Sequence, residues 1–196
     1  MATECGIISA GLIAAICGKA PASGSGKRVF LLNYDDIDRA ESTVTGDVLT
    51  ALVLKTGKVA YLFESLSKAT TGEATFARGT YFNLYDHAVT LRVFTKNQVS
   101  KNFINVLADA RIVAVVENNE EGDAGEVKFE VYGWDSGLTL AELPFTTTFA
   151  DSVVYSAKVA SDDDSKEGQL PKSFFVTNSV TTEQALTALI TPVTGG

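Results

Sequence analysis

The chain predicts a mainly β fold with a small helical part, on three observations. Short stretches alternate apolar and polar residues along most of its length, glycine and small polar residues separate them, and a helical period is clearest near residues 97–110. At 196 residues and 45% apolar, the chain is long enough for one domain with a sizeable core.

Taken in order, residues 28–33 (RVFLLN) read as a first strand, closed by a polar turn at 34–38. Residues 47–55 and 58–64 alternate on either side of Thr56-Gly57, the pattern of a β-hairpin. Strand character returns at 73–78 and over 79–95, where Tyr81, Leu84, His87, Val89, Leu91 and Val93 suggest two strands with a bend near Asp86. Between 97 and 110, Val99, Phe103, Val106, Leu107 and Ala110 fall at i, i+4, i+7, i+8 and i+11, one face of a helix that Asn97 would cap. That face is expected to pack on the sheet, with Phe103 as a core residue.

Residues 112–117 then read as a buried strand, 118–125 as an acidic loop and 127–134 as the alternating partner strand. Further strands are expected at 138–143, 152–160 and 173–177, before a C-terminal helix in which Thr181 and Gln184 have capping-box spacing. The total is about nine strands, one flanking helix and a short C-terminal helix. The β-β-α-β-β order over residues 75–134 is the plan of a small sheet with a single helix packed on it.

The formal net charge of −8 argues against a surface that grips nucleic-acid phosphates, which needs clustered Lys and Arg. Cys5 and Cys17 are the only cysteines, too few for a disulfide framework and compatible with a reducing compartment. With His87 the sole histidine, no zinc-like ligand spacing is present, and neither a metal nor a cofactor is expected.

Residues 6–20 (GIISAGLIAAICGKA) form an apolar run that is too short to span a bilayer. It lacks the basic leader of an export signal, since Glu4 is the one charge ahead of it, and Ile16 fits poorly before a lipoprotein cysteine. We read residues 1–27 as an extended assembly arm, with Ile7, Ile8, Leu12 and Ile13 as its contact residues and 21–27 (PASGSGK) as a flexible linker. Residues 28–196 are then expected to form a single β-sandwich domain.

The search for chemistry is largely negative. Ser25-Gly26-Lys27-Arg28 resembles the end of a phosphate loop, but Pro21 stands where the first glycine belongs and Arg28 where a Ser or Thr should hold magnesium. His87 beside Asp86 could form a general-base pair, yet no nucleophile turn accompanies it, so a structural histidine is expected. The run Asp162, Asp163, Asp164 with Glu167 suggests a calcium loop, but Lys166 occupies a ligand position, and a solvated loop is the better reading. Asp35, Asp36 and Asp38 are explained by a turn. The chain reads as a scaffold and not as an enzyme.

Several segments carry a resemblance. Cys17-Gly18, Gly26, RVFLLNYDDID, NLYDHAVTLRVF followed by a helix and RIVAVVENN, and FEVYGWDSGL together resemble structural tail proteins of phages and prophages of gut Bacteroidetes-type bacteria, the tail tube group most. The resemblance spans most of the chain, and none of its motifs is catalytic. It implies a β-sandwich or barrel subunit whose sheets join those of its neighbours into a hexameric ring, with rings stacking into a tube for genome delivery. Its partners would be copies of itself and other virion tail proteins, with DNA passing through unbound and no membrane involved. Its location would be the virion tail, after assembly in the host cytoplasm. Capsid-decoration and connector proteins share this profile, and a carbohydrate- or receptor-binding β-sandwich would instead expose aromatics such as Trp134, Tyr132, Tyr81 and Tyr85. In a tube, Glu64, Glu73, Glu126 and Glu130 are the strand carboxylates expected to line the channel, where negative charge would keep DNA from sticking.

Overall fold

The computed structural model describes residues 22–79, 82–145 and 154–190. Among them are eleven strands and two α-helices. Seven strands form one sheet: β1 (Ser25–Asn33), β2 (Thr43–Thr45), β3 (Val48–Ala51), β4 (Tyr61–Glu64), β7 (Ile112–Asn118), β8 (Phe129–Tyr132) and β11 (Lys172–Phe174), ordered β2-β3-β11-β8-β7-β1-β4. Four form a second: β5 (Thr71–Arg78), β6 (Asn83–Val93), β9 (Thr139–Glu142) and β10 (Tyr155–Ala160), ordered β5-β6-β10-β9. The helices are α1 (Gln98–Ala108) and α2 (Ser179–Ile190).

Two cores explain why the central strands are almost continuously apolar. Val29 and Leu31 of β1, with Ala114 and Val116 of β7, face Val89 and Leu91 of β6, Ala157 and Val159 of β10, and Ile104 and Leu107 of α1. Their neighbours Phe30, Leu32, Val113 and Val115 point the other way, onto Phe129, Val131, Phe174 and Leu186 of α2. Side chains alternate across a strand, so a strand covered on both faces needs apolar residues at every position. The large sheet is therefore the middle layer, between α2 on one face and the small sheet with α1 on the other.

Several expectations change in three dimensions. Ser25, Gly26 and Lys27, read as linker, are the first residues of β1, and Ser25 is buried opposite Asn118. Residues 47–64 do not make a hairpin. β3 pairs with β2 and, in parallel, with β11, whereas β4 pairs with β1 at the far edge of the sheet. The turn-like segment between them is captured by residues 36–38: Asp38 N–H donates to Val53 O and Lys55 N–H to Asp36 O, both at 2.9 Å. No bend interrupts residue 86, because β6 holds unbroken register with β5 from Arg78↔Asn83 to Thr71↔Thr90. At α2 the cap is Asn178, whose Oδ1 accepts from Thr181 N–H at 2.9 Å while its own N–H donates to Thr181 Oγ1 at 3.1 Å. The reciprocal box exists, one turn earlier than Thr181 and Gln184 imply.

The sharpest correction concerns α1. Asn97 caps it as expected, accepting from Ser100 N–H at 2.8 Å. Its buried residues, however, are Ser100, Ile104 and Leu107, while Val99 and Val106 are 77% and 71% exposed and Phe103 is half-buried. The helix is turned by one residue, about 100°, from the face the apolar spacing marks.

Candidate functional site

His87 sits 1% exposed in the middle of β6, with both ring nitrogens committed to backbone. Nε2 lies 2.9 Å from Gln169 O and Nδ1 lies 3.3 Å from Gly133 N, so the neutral ring donates through Nε2 and accepts Gly133 N–H at Nδ1. Burial pushes its pKa below the usual histidine value, against the raising effect of the Gln169 carbonyl. Asp86 is not its partner but pairs with Lys166 at 2.5 Å. Glu167, equally buried, accepts Asp135 N–H and Ser136 N–H at 2.8 Å each, and burial raises its pKa despite those bonds.

Together these groups fasten the 133–137 turn to the loop after β10. Gly133 and Gly137 bend this turn at φ +74° and +77°, and a Cβ on Gly133 would stand 2.6 Å from Leu138 Cγ. The cluster clamps a turn, with both His87 ring nitrogens and the Glu167 carboxylate bonded to backbone groups. Of the 162–167 run, Glu167 turns inward and Asp162 accepts from Thr139 Oγ1 at 2.5 Å, so the carboxylates diverge. Among the described residues no group of three or more His, Cys, Asp or Glu is placed to hold a metal ion.

The four channel-lining candidates do not share one face. Glu64 is exposed on edge strand β4, opposite Arg28. Glu73, exposed on β5, and Glu130, half-buried on β8, both raise the pKa of the Tyr132 phenol, after its own burial, and Glu130 accepts Tyr132 O–H at 2.9 Å. Glu126 is not on a strand at all. It lies in the loop before β8, where its own backbone N–H and then Ala124 N–H, at 2.7 Å, hold its carboxyl below the usual range. Nearby, Arg28 forks onto Glu117 at 2.7 and 3.0 Å and reaches Glu183 of α2 at 2.7 Å, binding three elements through one guanidinium. A Cβ on Gly26 would lie 2.7 Å from the Glu117 side chain, so this glycine, read from the sequence as part of a flexible linker, makes room for the ion pair.

The feature that sequence reasoning missed is an apolar groove. Val99, Phe103 and Val106 of α1 form one wall and Tyr61 and Leu62 of β4 the other, with Leu31 at the floor, enclosing about 600 Å³. Phe103 stacks on Phe63 of β4 at 5.8 Å between ring centroids, which holds the helix against this edge of the sheet. Exposed Phe76 and Phe82 mark a second apolar spot, around the reversal between β5 and β6. The misplaced helical stripe was the available signal, since apolar residues in excess of what the core absorbs must lie outside.

Ile7, Ile8, Leu12 and Ile13 lie outside the described residues, as does Tyr81. Of the other aromatics considered for glycan contact, Trp134 and Tyr132 are buried. No described helix is long and apolar enough to cross a membrane. No protein-family model, curated protein or solved structure matches the chain.

Proposed function

We propose that this chain is a structural subunit that works by self-assembly, of the phage tail tube type: a virion protein that closes into hexameric rings stacked around a channel for DNA. The observation that carries this reading is that the folded chain leaves association surfaces open. Among the described residues both sheets end in edge strands without a further partner, at β2, β4, β5 and β9, and apolar side chains stand exposed on two of them, Leu62 on β4 and Phe76 on β5. Isolated chains blunt such edges, whereas a ring pairs or covers them with a neighbour. The polar clusters point the same way, since each is spent on holding the fold: His87 and Glu167 on one turn, Arg28 and Glu117 on joining β1, β7 and α2.

Electron microscopy of the purified full-length chain tests the proposal. Rings or tubes are the expected result. Dispersed monomers at all concentrations, with no assembly on addition of tail components, would sink it.

A further inference from the structure

We propose that the groove between α1 and β4 is the seat of the apolar segment Ile7–Ile16 of a second copy of this chain. The groove is built for an uncharged apolar occupant. Its lining has no Asp, Glu, Lys or Arg, and its polar groups are the amides of Asn33 and Asn102 and the Tyr61 hydroxyl. Val99 and Val106 present most of their surface to solvent although the helical period marks them for burial. Large exposed apolar patches on soluble chains usually mark association sites.

The matching surface is in the sequence itself. Residues 5–18 (CGIISAGLIAAICG) contain no charged residue and five large aliphatics, followed by a Gly/Ser-containing tether. Chain geometry favours a neighbour as the donor. Ala22 is tied to Glu120 by its N–H at 2.6 Å, and Asn119 donates to Ser23 O, which fixes the start of the described chain beside the β7–β8 loop. The groove lies at the opposite end of β1, around Leu31 and Asn33. Six strand residues separate Ser25 from Leu31, about 20 Å, and the six residues from Ala22 back to Ile16 span at most about 20 Å when extended. In its own groove the chain would therefore have to run fully extended from Ala22 to bring even Ile16 to Leu31, whereas a flexible tether of six residues spans about 13 Å on average. A neighbour's groove can take the whole run.

This inference rests on the assembly reading only in drawing the occupant from another copy. The test uses two full-length chains of different mass, both carrying Cys5→Ser and Cys17→Ser, one with Ile8→Cys and the other with Val106→Cys. On mixing and oxidation, a disulfide heterodimer is expected, and Val99→Cys should serve in place of Val106→Cys. Val106→Asp, on an exposed position, should abolish association in sedimentation while leaving the circular dichroism unchanged. No heterodimer with either partner cysteine would overturn the proposal. So would a bond that forms solely within one chain when Ile8→Cys and Val106→Cys are combined in it. Heterodimers without tubes would remove the tail tube reading and keep the groove; tubes without heterodimers would do the reverse.

Discussion

Leu107→Ala and Val106→Ala, adjacent on α1, should have opposite consequences in dilute monomeric protein. Apolar spacing puts both on one buried face, but Leu107 is 4% exposed among Ile104, Ile112 and Leu138, while Val106 is 71% exposed. Truncating a fully buried leucine removes its transfer free energy and leaves a cavity, about 3 kcal/mol in a site with this little freedom to collapse. For a chain of this length that corresponds to a fall in Tm of about 6–12 °C. Val106 loses little burial on truncation, and replacing a β-branched residue with alanine in a helix gains back about half a kcal/mol, so its Tm should move by less than about 2 °C. Phe103, half-buried on Phe63, should fall between them. Thermal melts followed by circular dichroism decide the matter. Equal losses at positions 106 and 107, or a larger loss at 106, would refute the helix orientation described above and with it the groove.

Other expectations follow from single interactions. Asn97→Ala removes the side chain that accepts Ser100 N–H and should cost about 1 kcal/mol in urea unfolding, with Asn97→Asp nearly neutral. Arg28→Ala strands the Glu117 carboxylate, 13% exposed, and should cost about 2 kcal/mol, with little dependence on added salt; a loss that vanishes in salt would show the pair is surface-like. His87 has a depressed folded pKa, so its contribution is complete above the ordinary histidine value of 6.5 and is lost as pH falls through the folded value, when the protonated ring can no longer accept Gly133 N–H. Asp135, Asp86 and Lys172 act on the same ring, and nearby Glu167 titrates with the opposite slope, its contribution complete below 4.5 and lost as pH rises through its raised folded value. The urea midpoint of the native chain should therefore drop from pH 7 to pH 5.5 more steeply than that of His87→Gln; parallel slopes would show that His87 does not titrate there. Gly133→Ala, at φ +74° and against Leu138, should destabilise the 133–137 turn and lower Tm by several degrees.

Local chemistry was sufficient for much of this molecule. The run RVFLLN read as a strand and is one, whereas the cover on both of its faces came to light in the packing of the two cores. Asn97 followed by a 3.6-residue period fixed α1 and its cap, and IVAVVEN fixed β7, because these signals act over a few residues and need no distant partner. Tertiary structure decided what depends on partners far along the chain. Thr56-Gly57 reads as a hairpin turn, but β3 finds β11 more than 120 residues later and β4 finds β1, because pairing to the covered central sheet buries more surface than a short local hairpin can. The rotation of α1 was likewise out of reach: two overlapping stripes, Ser100-Ile104-Leu107 and Val99-Phe103-Val106, both fit one helical period, and only the position of the small sheet selects which is buried. The stripe left over became the wall of the groove, so the surface most useful for inferring function arose where the sequence held more apolar residues than its own core could absorb.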